Sequence, residues 1–197
     1  MPVPTGNTYD KYNTTNPIER RMMDGFFSTL DRLIGTTRPE RILEVGLGEG
    51  LVSERLRDRF PDARLVGVDL VDWALADHWR SRSLSVAFAD VERLPFPDSS
   101  FDLILAIEVF EHFAEPDRAL AELVRVGTDV LIASVPLEPI WRVGNMVRRR
   151  YLRDLGNTPG HVNHWTRRGF SRFVAQRWDV TEVACPLPWT MVRAATR

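Results

Sequence analysis

The sequence predicts an α/β fold, a doubly wound and largely parallel sheet with helices on both faces. Two observations carry this. Short apolar runs alternate with helix-like stretches along most of the chain, and such alternation puts a crossover helix between parallel strands. One of these strands, Ile42-Leu43-Glu44-Val45, runs directly into Gly46-Leu47-Gly48-Glu49-Gly50, and a helical stretch from Leu51 to Phe60 follows. Strand, glycine turn and helix N-terminus in that order form a crevice for a nucleotide-like ligand. Glycine lets the backbone turn tightly and approach a ligand closely, and the helix end offers free N–H groups.

The elements can be justified in order. At 197 residues the chain suits one α/β domain with a real core and is short for two, so residues 1–197 are read as a single domain. Met1 to Thr15 is polar and reads as a mobile arm. Asn16-Pro17-Ile18-Glu19 marks a helix start: Asn16 caps, Pro17 takes the first turn and Glu19 can close a capping box. Met22, Met23, Phe26, Phe27, Leu30, Leu33 and Ile34 follow at helical spacing and lay one face on the sheet. After the glycine turn come a second strand, Arg64 to Val68, a helix over Val71 to Arg80, and a third apolar run, Leu84 to Ala89. A fourth strand ends near Ile107, a helix spans Asp117 to Val126, and a fifth strand spans Asp129 to Val135. Residues 136–165 read as an insertion, Thr166 caps a helix over Arg167 to Arg177, and Asp179 to Cys185 with Trp189 to Ala195 form a terminal hairpin.

The glycine spacing narrows the ligand. A dinucleotide fingerprint would need glycine at position 51, where Leu51 stands. The pattern is instead acid-x-Gly-x-Gly-x-Gly, with Glu44 two residues ahead of Gly46. Asp69 closes the second strand nineteen residues beyond Gly50, where a carboxylate reaches a ribose diol. Asp90-Val91 closes the third run. Leu94-Pro95-Phe96-Pro97-Asp98-Ser99-Ser100-Phe101-Asp102-Leu103-Ile104 and Glu108-Val109-Phe110-Glu111-His112 complete the set. Together these segments resemble the ordered motifs of class I S-adenosylmethionine (SAM)-dependent methyltransferases, closely over residues 41–135 and loosely elsewhere.

The resemblance implies a Rossmann-like seven-stranded sheet of order 3-2-1-4-5-7-6, with an N-terminal helix and an insertion after strand five. It implies SAM as cofactor and S-adenosyl-L-homocysteine as product. Glu44, Gly46, Gly48 and Gly50 would lie against the amino-acid part, Asp69 with Leu70 at the ribose, Asp90 with Val91 at the adenine, and Ile107 at the end of strand four.

Composition sets the remaining bounds. A net charge of −1 and a pI near 6.4 give no overall bias toward nucleic acid or membrane. Cys185 is the one cysteine, which excludes an internal disulfide and fits a reducing cytoplasm. No run approaches the roughly 20 apolar residues of a membrane span, and no signal peptide is evident. Lys11 is the one lysine among many arginines, a bias of GC-rich bacterial genomes.

The insertion departs from the family pattern. Gly127-Thr128-Asp129 replaces the family's longer turn before strand five. Ile140, Trp141, Val143, Met146, Val147, Tyr151 and Leu152 are expected to line one helical face, and Arg142, Arg148, Arg149, Arg150 and Arg153 make the segment basic. A solvated lid helix and an arginine clamp for a phosphate- or carboxylate-bearing acceptor are both compatible with this pattern.

Gly160-His161-Val162-Asn163-His164-Trp165-Thr166 places two histidines in one hinge. A hydroxyl acceptor must lose a proton near neutral pH, so a histidine base is expected, with His112 and His161 as the candidates and His164 peripheral. The plain alternative is that these histidines fix a loop by hydrogen bonds. A third is metal: Glu108, Glu111, His112 and His161 resemble the ligand set of metal-dependent methyltransferases that act on the 2′-hydroxyl of small RNAs, and would suit a divalent ion.

The expected function is methyl transfer to a small-molecule hydroxyl, with Trp141, Tyr151, Trp165 and Trp189 as stacking faces. The alternatives are an RNA-terminal 2′-O-methyltransferase and a non-catalytic SAM-binding subunit. Near-neutral charge counts against a long RNA acceptor.

Overall fold

A computed structural model describes residues 16–197; the arm expected over residues 1–15 lies outside them. The chain order is α1 (Pro17–Ile34), β1 (Arg41–Val45), α2 (Leu51–Arg59), β2 (Arg64–Asp69), α3 (Trp73–Ser81), β3 (Val86–Phe88), β4 (Phe101–Ile107), α4 (Pro116–Val126), β5 (Gly127–Pro136), α5 (Ile140–Val147), α6 (Arg167–Val174), β6 (Asp179–Ala184) and β7 (Trp189–Ala195). The seven strands form one sheet of order β3-β2-β1-β4-β5-β7-β6, the order expected from the resemblance. Strands β1 to β5 pair in parallel, and β7 is antiparallel to both β5 and β6.

Alternate residues of the central strands supply the two faces. Leu43 and Val45 of β1, with Ile104 and Ala106 of β4, join the cluster that buries α4 and α6. Ile42, Leu103, Leu105 and Ile107 point the other way, onto α1 and α2. A parallel sheet covered on both faces has this near-continuous apolar pattern. Helix α1 starts as the sequence predicts, with the Asn16 side chain accepting the Ile18 N–H at 2.9 Å. Its buried face is Met23, Phe26, Leu30, Leu33 and Ile34, with Met22 and Phe27 half-buried beside it.

Four elements differ from expectation by two residues or more at one end. Helix α3 begins at Trp73, because the Asp72 carboxylate caps it by accepting from Ala74 and Leu75. The third strand shortens to Val86–Phe88 at the sheet edge. Helix α6 stops at Val174. Strand β5 begins at Gly127, which also closes α4. Any side chain at Gly127 would meet the Leu123 carbonyl and Trp178, so the helix turns straight into the strand with no separate loop.

The largest correction is the insertion. Helix α5 ends at Val147, so Tyr151 and Leu152 do not continue its face, and a short 3-10 turn, Leu152–Asp154, follows. Of the apolar residues expected to line one helical face, Trp141 is buried, while Ile140, Val143, Val147 and Leu152 are exposed. The buried face of α5 is Trp141 and Asn145. Among the described residues, no helix is long and apolar enough to cross a membrane.

Candidate active site

The crevice opens at the C-terminal ends of the parallel strands, where β1 has β2 on one side and β4 on the other. In doubly wound sheets ligands bind at this reversal of strand order. One cavity of about 450 Å³ starts there and is lined by Glu44, Gly46, Gly48, Asp69, Leu70, Asp90, Val91 and Ile107. It continues past Glu108, Glu111 and His112 to His161, Trp141 and Trp189. Both halves of the expected site therefore share one space, of a size that suits a cofactor with an acceptor.

The glycine turn shows why only glycine serves here. Gly46 has φ +70°, and an added Cβ would stand 2.0 Å from Val109 Cγ1. Gly48 has φ +51°. Its N–H donates to Asp69 Oδ2 at 2.9 Å, while Leu70 N–H donates to Asp69 Oδ1 at 2.7 Å. Asp69 is thus aimed by the backbone, and burial pushes its carboxyl above the usual range against the pull of those two N–H groups. Asp90 is exposed, and its carboxylate accepts the Glu92 N–H at 2.9 Å, capping the turn that carries Val91. Gly50 does not line the cavity. It is buried with φ +81°, and a side chain there would strike Leu84, so its role is to let the turn pack beneath the ligand site.

Glu44 is 1% exposed and accepts a hydrogen bond from the Ser53 hydroxyl. Burial raises its carboxyl to about 8; the Ser53 bond opposes this and the nearby Asp69 charge adds to it. A cation entering the cavity would favour the ionised form. Three acids at β1, β2 and β3 and a backbone cradle that a Cβ would fill fit a ligand carrying an ammonium group, a diol and an amine-bearing ring. That is the chemistry of SAM. Ser53 was missed by sequence reasoning, as were Glu19, Met22 and Met23, which α1 contributes to the cavity wall. Ser53 lies one helical turn past the glycines, which was a readable signal.

On the acceptor side, His112 Nδ1 lies 3.0 Å from the Gly160 carbonyl. A carbonyl only accepts, so Nδ1 carries a proton, and in the neutral form of the ring Nε2 is then the accepting nitrogen. His161 is buried, edge-on to His112 with ring centroids 4.9 Å apart, and lies nearly parallel to the Trp141 indole. The loop that brings it here is pinned by Val162 and Asn163 N–H bonds to the Glu111 carbonyl at 2.8 and 3.0 Å. His164 points away, exposed, with Nε2 on Asn157 Oδ1 at 2.9 Å.

Glu111, His112 and His161 bring potential ligand atoms within 4.8 Å of one another. Glu108 is not in that group; its carboxylate accepts from the Trp189 indole. Among the arginines, Arg148 and Arg150 line the cavity, with Arg148 paired to Glu19 at 3.2 Å. Arg142, Arg149 and Arg153 do not line it. Trp141, Tyr151 and Trp189 do, whereas Trp165 packs against Phe170 and Phe173.

This crevice defines a class: a doubly wound sheet whose glycine turn and three strand-end acids fit an adenosyl ligand. Comparison with known proteins agrees. A family model described as "Methyltransferase domain" matches residues 43–129. A malonyl-[acyl-carrier protein] O-methyltransferase of Geobacter sulfurreducens is 37% identical over 125 residues, 61% of this chain and 45% of that protein. A demethylmenaquinone methyltransferase of Thermus thermophilus is 36% identical over 125 residues, 59% of this chain and 57% of that protein. The chain thus spans about half the length of these curated relatives. A SAM-dependent methyltransferase from Aquifex aeolicus shares the fold, with a TM-score of 0.71 over 92% of this chain and 94% of that one, at 19% identity. In its central stretch and in its fold the chain is similar to the class I SAM-dependent methyltransferases.

Proposed function

We infer that this chain transfers a methyl group from SAM to a hydroxyl of a small-molecule acceptor. The observation that carries this is the cavity's continuation past the glycine turn to the His112–His161 pair. A non-catalytic SAM-binding subunit would have no need of such open space. Bound SAM supplies an electrophilic methyl group open to in-line displacement.

The protein's own residues supply the rest. Trp141 and Trp189 offer ring faces held in place, the first by an Nε1–H bond to Thr158 Oγ1 at 3.0 Å and the second by its bond to Glu108. Arg148 and Arg150 offer charge to an acceptor that bears phosphate or carboxylate. With His112 Nδ1 donating to Gly160, Nε2 is the ring nitrogen that would take the hydroxyl proton. In this reading residues 136–165 are the acceptor side of one methyltransferase domain, and the single cysteine fits a reaction in the cytoplasm. The matched relatives are named for malonyl-[acyl-carrier protein] and demethylmenaquinone; a carboxylate such as the first would meet the two arginines.

A second reading is favoured by the convergence of Glu111, His112 and His161. These donors would hold a divalent ion such as Mg²⁺, Mn²⁺ or Zn²⁺, which would acidify a hydroxyl bound to it. Its mark is loss of turnover on chelation and recovery with added metal, with Glu111 as necessary as the histidines. The deciding experiment incubates the protein with SAM and an acceptor library that includes RNA ends, and maps each product by mass. O-methylated small molecules are expected. Exclusive N- or S-methylation overturns the hydroxyl reading, and methylation of RNA ends alone overturns the small-molecule one.

A further inference from the structure

Helix α5 is turned inside out for a globular protein. Its face toward the molecule is Trp141 and Asn145, and its outward stripe is Ile140, Val143 and Val147, at helical spacing. Val147 is 78% exposed, and Leu155, just beyond the 3-10 turn, is 65% exposed. The segment is stitched into this arrangement. Arg142 Nε donates to the Leu155 carbonyl at 2.9 Å, and Asn145 Nδ2 donates to the Gly156 carbonyl at 2.9 Å. Gly156, at φ +77°, sits where any side chain would strike the Arg142 backbone. Helix and return loop therefore form one unit that displays aliphatic side chains outward.

Charge accompanies them. Residues 140–155 hold five arginines and one acid, Asp154, in a chain whose net charge is −1, so the rest of the molecule is distinctly acidic. The same segment contributes Arg148, Arg150 and Tyr151 to the cavity wall. The apolar and basic surface is thus continuous with the rim of the acceptor space.

We propose that residues 140–155 dock on an anionic lipid bilayer surface, with Val143, Val147, Leu152 and Leu155 seated among the acyl chains and Arg149 and Arg153 on the headgroups. The acceptor would then enter the cavity from the bilayer. This rests on the methyl-transfer reading for the acceptor, and on the surface alone for docking. The aliphatic side chains favour a bilayer over other anionic partners. A nucleic acid would be met by arginine and aromatic groups, and gives valine and leucine nothing to bury against, whereas interfacial segments combine an apolar stripe with flanking cations.

The test is co-sedimentation of the full chain with phosphatidylcholine vesicles, with and without phosphatidylglycerol. Binding is expected only with the anionic lipid, and should weaken as salt is raised. The pair Val147→Glu with Leu155→Glu, and separately Arg149→Glu with Arg153→Glu, should each lower vesicle partitioning about tenfold or more. None of the four residues lines the cavity, so S-adenosylhomocysteine binding by calorimetry should be unchanged in both pairs, which also shows that they fold. No binding to phosphatidylglycerol vesicles overturns the proposal. So does binding that neither pair weakens, or retention by a single-stranded RNA with none by vesicles. Loss of S-adenosylhomocysteine binding in the unaltered chain would instead strike the methyl-transfer reading and leave the docking result standing.

Discussion

At the residue scale the proposed chemistry rests on three side chains. Asp69 presents a carboxylate already aimed by two backbone N–H groups, so a diol needs no rearrangement to bind. Asp69→Ala should weaken S-adenosylhomocysteine binding by about 1–3 kcal/mol, read by calorimetry. Glu44 gives a pH signature. Its carboxyl is raised to about 8 by burial, above the usual 4.5. Across that window the native ligand-free protein holds a proton that the unfolded chain has lost, so its stability should fall as pH rises through it. Ligand binding runs the other way in the proposed site: an ammonium group beside Glu44 would favour its ionised form, so at neutral pH binding should release a proton, and affinity should decline as pH drops below about 8. Calorimetry in buffers of different ionisation heat measures that release, and Glu44→Gln should abolish it. Equal release in the variant would assign the proton elsewhere. His112→Ala should lower turnover about 10²–10⁴-fold with S-adenosylhomocysteine affinity nearly unchanged. Activity that survives loss of both His112 and His161 would mean that the acceptor ionises unaided.

At the scale of elements, α1 is the helix that sequence spacing described well. Phe26 is 1% exposed and meets Trp189 edge-on at 5.0 Å, so one buried ring joins the helix to the indole that holds Glu108. Phe26→Ala should cost about 3–5 kcal/mol in urea denaturation, the usual range for deleting a buried phenyl group. A cost under about 1 kcal/mol would mean that α1 is only loosely attached. Helix α5 shows where spacing stops being informative. The apolar positions of residues 140–152 were legible as helical, but the pattern says nothing about which side faces the core. Chain turns at Arg149 and Tyr151, both at positive φ, then broke the stripe before Tyr151 and Leu152. The start of α3 was misread for a similar reason: Val71 extends the apolar pattern, yet Asp72 is the residue that caps. By contrast the glycine turn was legible because positive φ restricts those positions to very few residue types, and the strand-end acids because their spacing from the turn follows the motif order. The Glu108–Trp189 bond joins residues far apart in sequence, and no local pattern could announce it.

For the whole molecule, strand direction explains how distant segments meet at one cavity. Parallel β1 to β5 all deliver their C-terminal ends to the same edge. Because β7 runs antiparallel, its first residue, Trp189, pairs with Pro136 at the last position of β5. The C-terminal hairpin thereby reaches the proposed acceptor side while the glycine turn, more than a hundred residues earlier, lies on the proposed cofactor side. The walls come from α1, the strand ends, α5 and β7, so ligand binding is tied to the integrity of the whole sheet. S-adenosylhomocysteine at about a hundred times its Kd should add about 2.7 kcal/mol to the unfolding free energy. For a chain of this size that corresponds to a rise in Tm of roughly 5–10 °C. Hydrogen exchange should slow together at the Gly46–Gly50 turn and around Trp189. Slowing at the turn alone, with Tm unmoved, would show that the cofactor half closes without the acceptor half, contrary to a cavity walled by both ends of the chain.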